Sequence, residues 1–245
     1  MASAGGSRPA LTRAVLFDLD DTLFDHRGSS RAALAEVHRR HAGASDFEAF
    51  ERHHARILEE LHLDVLAGRR TLDDARRERF RRVFAAIGVA LSDVEADSVA
   101  SAYRAGYVPA WRPMPGAADL VAAIRPHARI GVISNNLIEE TREKLAFCEL
   151  ATLVDVVVVS GDEGISKPDP RIFHLALERL GVASADAVMV GDSWAADITG
   201  ASRAGIRAVW FNPLRRPIPA EPAGVPEIRA LTPTSAVLPV ILPAL

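Results

Sequence analysis

Four apolar residues, Ala14-Val15-Leu16-Phe17, run straight into Asp18-Leu19-Asp20-Asp21-Thr22-Leu23. A short apolar run that ends in acid reads as a buried parallel strand delivering charge at its carboxyl end, where ligands sit in open α/β sheets. A continuing strand would put Asp18 and Asp20 on one face. Here the strand is expected to have ended, leaving two carboxylates on adjacent turns of a loop. Such a pair can divide attack and proton transfer between them. An acidic capping turn would look the same locally, so the rest of the chain has to decide.

Beyond Leu23 the pattern turns helical. Gly28-Ser29-Ser30 offers an N-cap for a helix to about His41, with Leu34 and Val37 on one face. Ser45-Asp46-Phe47-Glu48 reads as a capping box, and Gly68 is placed to end the helix it opens. Thr71-Leu72-Asp73-Asp74 starts a third helix that Gly88 closes, and Ser92-Asp93-Val94-Glu95 is a second capping box for a fourth helix fading near Gly106. Nothing in this block alternates with period two, so it reads as a small helical bundle inserted into another domain.

Trp111-Arg112-Pro113-Met114-Pro115-Gly116 punctuates a return to strand–helix alternation. Strands are expected at Arg129–Ile133, Val154–Val159, Ala187–Val190 and Arg207–Phe211, with helices near Glu139–Phe147, Pro170–Leu180 and Ala195–Ala204. That alternation predicts a parallel sheet with helices on both faces. The segment Pro213–Pro226 reads as an irregular surface run, Glu227–Leu231 as an edge strand and Thr234–Leu242 as an apolar segment packed on the sheet.

Composition excludes several classes. With 245 residues, 49% hydrophobic and 25% charged, the chain suits one large domain or a domain with an insert. A net charge of −3 gives no basic footprint for a nucleic-acid polymer. Cys148 stands alone and can form neither an internal disulfide nor a zinc site by itself. The segment before Ala14 lacks the apolar core of a signal peptide. No apolar run reaches the ~18 residues of a membrane span. A cytoplasmic protein is the default. Of 29 basic residues only Lys144 and Lys167 are lysine, so lysine is kept where it is harmless or where a compact ammonium is needed.

In a parallel sheet the strand carboxyl ends share one edge, and four loops there carry chemistry. The first brings Asp18 and Asp20. The second, Ser134-Asn135-Asn136, offers a hydroxyl and amides before a helix, either a phosphate cradle or a plain cap. The third is Gly164-Ile165-Ser166-Lys167-Pro168-Asp169-Pro170, in which capping explains Asp169 and Pro170 but not Lys167. The fourth, Gly191-Asp192-Ser193-Trp194-Ala195-Ala196-Asp197, adds two more acids. Two like charges ~4 Å apart repel by ~4 kcal/mol at an effective dielectric near 20, so several such pairs call for a cation. Oxygen ligands without nearby histidine or cysteine select a hard one, most simply Mg²⁺.

With these motifs in this order the chain resembles the haloacid dehalogenase superfamily of hydrolases, over Val15–Leu23 and Trp111–Pro213. The resemblance implies a Rossmann-like α/β core, residues 1–24 and 111–245, and a helical cap, residues 25–110. It implies an Mg²⁺-dependent phosphatase in which Asp18 is the nucleophile and Asp20 the general acid and base. Ser134 and Asn135 would hold phosphoryl oxygens with Lys167. Asp18, Asp192 and the Asp20 carbonyl would bind the metal, with Asp197 supporting the metal or Lys167 from behind. The resemblance extends to the branch with pyrimidine 5′-nucleotidases and sugar-phosphate phosphatases, through Phe17–Asp25, Tyr103–Tyr107 and Trp210-Phe211-Asn212-Pro213. The expected substrate is a small phosphomonoester such as a nucleoside 5′-monophosphate, taken by a monomer or homodimer without membrane or nucleic-acid partners. The alternatives are a 2-haloacid dehalogenase, which does not need the second acid Asp20, and a catalytically idle relative that only binds. His26, His38, His41, His53, His54 and His62 are expected on solvated faces, and Phe24 in the core.

Overall fold

The computed structural model describes residues 12–43 and 45–243. Most of the segment read above for a signal sequence lies outside the described residues. By Cα proximity the chain divides into two compact units, one ending at Phe24 and resuming at Pro113, the other Asp25–Arg112.

The first unit is built on β1 (Ala14–Phe17), whose four side chains are all buried. The second unit then supplies α1 (His26–His41), α2 (Phe47–Leu66), α3 (Leu72–Ala85) and α4 (Asp93–Tyr107). The first unit resumes with α5 (Ala117–Ile124), β2 (Arg129–Ser134), α6 (Ile138–Phe147), β3 (Val156–Val159), α7 (Ser160–Glu163) and α8 (Pro170–Leu180). It finishes with β4 (Ala187–Gly191), α9 (Thr199–Arg203), β5 (Arg207–Phe211), β6 (Glu227–Ile228) and α10 (Thr234–Ile241). The strands form one sheet in the order β3-β2-β1-β4-β5-β6, every pair parallel. This is the α/β sheet that the alternation predicted, with β1 between β2 and β4. Phe17 lies level with Val132 and Val190, so the residues after all three strands emerge at one edge.

Continuous apolar strands need cover on both faces. On one face Leu16, Ile133, Val158 and Met189 pack with Ile172, Phe173 and Leu177 of α8, Ile198, and Trp210. Gly131 in β2 lets Leu16 and Leu180 approach the strand, since a Cβ there would lie 2.7 Å from Leu16 Cδ2. Cys148 is buried, and burial pushes its thiol up to about 11, which leaves no reactive thiolate near neutral pH. No helix among the described residues is long and apolar enough to cross a membrane.

In the second unit the ends are tied together. Asp25 N–H donates to the Arg112 carbonyl at 3.1 Å, and Arg112 Nε reaches Asp25 Oδ2 at 2.6 Å. Asp25 also caps α1 by accepting from Gly28 N at 2.8 Å, so the cap lies upstream of Gly28-Ser29-Ser30, and Ser29 is buried instead. For α2 the cap is Asp46, which accepts from the Glu48 and Ala49 amides, not Ser45. The Ser92–Glu95 capping box of α4 forms as expected. His54 departs from the expectation of a solvated face. It is 1% exposed, with its ring 5.7 Å from that of Phe80 and 5.2 Å from that of Tyr103. Burial, with Arg79 and His26 nearby, holds its imidazole well below the usual value, so it packs as a neutral aromatic.

Leu16→Ala is expected to cost about 2–5 kcal/mol, because a fully packed strand residue leaves a cavity. Ser92→Ala removes one cap and should cost about 1 kcal/mol. Urea denaturation of both variants checks the ranking, and equal losses would contradict the placement of the core.

Candidate active site

The chain leaves β1 at Phe17 and turns at once. The amides of Thr22, Leu23 and Phe24 all donate to the Leu19 carbonyl, and Asp21 sits at φ 64°. This tight loop keeps Asp18 at the strand end, where its amide donates to the Val190 carbonyl of β4 at 3.0 Å. Thr22 stitches the loop to its neighbour. Its hydroxyl donates to Asp18 Oδ2 at 2.9 Å and accepts from the Asp192 amide at 3.1 Å.

Lys167 reaches this point from the loop after β3. Its ammonium donates to Asp18 Oδ1 at 2.6 Å, Asp197 Oδ1 at 2.7 Å and the Ile133 carbonyl at 2.9 Å. All three of its N–H donors therefore have acceptors. Its backbone is clamped by Asn135, which accepts from Lys167 N at 2.8 Å and donates to Lys167 O at 3.0 Å. Ser134 ends β2 beside it and is 2% exposed. The second loop is thus no plain helix cap: the Asn135 side chain is spent on positioning Lys167, and α6 begins only after Leu137.

Asp197 lies in a π-helical turn, Trp194–Ile198, and is completely buried. The Ser193 amide donates to its Oδ2 at 3.0 Å while Lys167 holds Oδ1. Gly191 is required just before this turn, since any Cβ there would overlap the Asp197 carboxylate. The cap of the turn is Ser193, not either aspartate. Trp210 Nε1 donates to the Asp192 carbonyl at 2.9 Å, and Arg216 stands 3.9 Å from the Asp192 carboxylate.

Asp18, Asp192 and Asp197 each offer an oxygen within 4.8 Å of the others. The Asp18 and Asp192 oxygens suit a hard divalent cation, while both Asp197 oxygens already accept from Lys167 and the Ser193 amide. Burial raises the Asp18 carboxyl well above its ordinary range, the charges of Asp197 and Asp192 push the same way, and Lys167 offsets them only in part. Burial pulls the Lys167 ammonium down, but Asp18 and Asp197 outweigh it and keep the lysine charged. A site that holds its carboxylate pair against this penalty is one that a cation would relieve.

Asp20 is held apart from that cluster. Lys144 of α6 donates to its Oδ1 at 2.6 Å, and Asn136 Nδ2 donates to its Oδ2 at 3.1 Å. The sequence suggests no role for Lys144 and places Asn136 only in the cradle-or-cap loop, not against Asp20. The signal for Lys144 was present, because the preference for arginine that singles out Lys167 singles out Lys144 equally. Asn136 and Arg216 carry no such mark.

A carboxyl raised on folding contributes stability that is complete below its unfolded value, near 3.8, and lost as pH climbs through the folded one. Asp18→Asn removes that dependence. In the presence of chelator, the Tm of Asp18→Asn minus that of the wild type should grow from pH 5 to pH 8. A difference independent of pH would show that the Asp18 charge is not resisted by its surroundings.

Known proteins bear on this geometry. The model of the haloacid dehalogenase-like hydrolases matches residues 12–205. The pyrimidine 5′-nucleotidase YjjG of Escherichia coli is 30% identical over 206 residues, covering 84% of this chain and 88% of that protein. A phosphoserine phosphatase of Thermus thermophilus is 41% identical over 112 residues, which is 46% of this chain and only 44% of that protein. Among solved structures, the Bacillus subtilis protein YfnB, bound to magnesium, superposes with a TM-score of 0.76 at 24% identity, covering 95% of this chain and 99% of that one. The family model and the nucleotidase alignment both span most of the sequence, and the chain belongs to the haloacid dehalogenase-like hydrolases.

Proposed function

We propose that this protein is a divalent-metal-dependent phosphomonoester hydrolase that works through a phosphorylated Asp18. The observation that carries the reading is the division of the two carboxylates. Asp18 is paired with Lys167 at 2.6 Å in the buried cluster, while Asp20, two residues on, is held separately by Lys144 at 2.6 Å. One carboxylate is thereby set for attack and the other for proton transfer. A dehalogenase of this family does not need the second.

In the first step an Asp18 carboxylate oxygen forms a bond to phosphorus while the bond to the leaving oxygen breaks and Asp20 gives that oxygen its proton. In the second step water attacks the phosphorus of the acyl phosphate, Asp20 takes the proton from water, and Asp18 leaves as carboxylate with free phosphate. Lys167, the Ser134 hydroxyl and the Asn135 backbone hold the transferring oxygens, and Asp197 with Asn135 keeps Lys167 in place. Asp18, Asp192 and the Asp20 carbonyl would hold Mg²⁺. When bound, it offsets negative charge on the phosphoryl oxygens, which is most of what phosphoryl transfer demands. The helical unit Asp25–Arg112 is read as the cap that selects the substrate. The nucleotidase relative and the phosphoserine phosphatase both act on small phosphomonoesters by name, and a nucleoside 5′-monophosphate or similar metabolite is the substrate proposed here.

The protein should release phosphate from p-nitrophenyl phosphate with Mg²⁺, lose this activity with EDTA, and lose it in Asp18→Asn. A panel of nucleotides and sugar phosphates ranked by kcat/KM then tests the substrate class, and a flat profile would remove the nucleotide reading. Halide release from 2-chloropropionate without phosphatase activity would overturn the whole proposal. Mg²⁺ at about 100 times its Kd should stabilise the fold by about 2.7 kcal/mol. Differential scanning calorimetry should find that gain missing in Asp192→Asn.

A further inference from the structure

Lys144 is 0% exposed, although its side chain ends in a charge. An ammonium taken out of water costs several kcal/mol unless its partners are well placed. The pair with Glu140 one turn away, at 2.9 Å, is of a kind that stabilises a surface helix only slightly and does not call for burial. What the burial achieves is a fixed line from α6 to Asp20. The Lys144 Nζ stands 4.9 Å from the Phe24 ring centroid and donates to Asp20 Oδ1 at 2.6 Å. Phe24 is itself fully buried and bridges Asp20 through the backbone, so the ring and the loop form one support.

From the other side Asn136 Nδ2 holds Asp20 Oδ2 at 3.1 Å. Asn136 is fixed in turn, because its Oδ1 accepts from the Leu137 amide at 2.8 Å. Each carboxylate oxygen thus has its own donor, one from the body of α6 and one from the loop before it. The Asp20 side chain is still 27% exposed. These two donors fix the plane and direction of the carboxyl.

We propose that Lys144 is the positioning residue of Asp20: with Asn136, it aims the carboxyl at the oxygen that leaves and at the water that attacks. The inference rests on the phosphatase reading above. A misaimed acid matters most where the leaving group cannot depart without a proton. An alkyl phosphate expels a strongly basic alkoxide and needs the proton, whereas p-nitrophenolate departs without it.

The test compares wild type and Lys144→Met on p-nitrophenyl phosphate and on the fastest alkyl phosphomonoester of the panel, with folding checked by circular dichroism. The kcat/KM, which reports the step in which the leaving oxygen departs, should fall about 100-fold on the alkyl ester and less than about tenfold on p-nitrophenyl phosphate. Lys144→Gln, which keeps a neutral donor, serves if the methionine variant does not fold, and the same split is expected of it. Equal losses of kcat/KM on both esters, or no loss, would overturn the inference and leave the lysine a structural element. A wild-type protein that turns over neither ester would instead remove the phosphatase reading on which the inference rests.

Discussion

The Lys167 ammonium, closed on three sides by Asp18, Asp197 and the Ile133 carbonyl, is the contact on which the site depends. It joins the loop after β1, the end of β2 and the loop between α7 and α8 to the turn after β4, and so ties four segments at the sheet edge at one point. A buried charge of this kind is costly unless each donor is satisfied. Here it is satisfied, and the remaining excess is negative. That excess is what suits the edge to a divalent cation and a phosphoryl group together.

Around this contact the structure keeps its two acids in different company. Asp18 belongs to the buried cluster with Asp192 and Asp197. Asp20 belongs to a second group with Lys144, Glu140 and Asn136. Lys144 and Glu140 enter as one positive and one negative charge, so the second group carries only the formal charge of Asp20 itself. Two carboxylates two residues apart would otherwise compete for the same cation. The tight turn at Leu19–Phe24 separates them and gives each its own lysine.

Much of this was legible in the chain. The parallel sheet followed from apolar runs without alternation, as in Val156–Val159, and the edge position of Asp18, Asp192 and Lys167 followed from the parallel sheet. Helix ends were legible where a side chain within three residues supplies the cap, as at Ser92 and Thr71. They were misread where two candidates stood side by side, as with Ser45 and Asp46, because only the backbone path decides which carboxylate or hydroxyl meets the amide. His54 was misread because helix α2 alone does not reveal that Phe80 and Tyr103 close over that face.

By itself the sequence determined the order of strands and helices, the acidic edge and the need for a counter-charge, since all three follow from short-range pattern and from the repulsion of like charges. Only the tertiary structure decided which groups answer Asp20, and that the Asn135 side chain clamps the Lys167 backbone. Lys144 and Asp20 are 124 residues apart, and their meeting depends on the rotation of α6 over the end of β2. A contact over that separation leaves no periodic mark in the sequence, whose repeats record only near neighbours on one element.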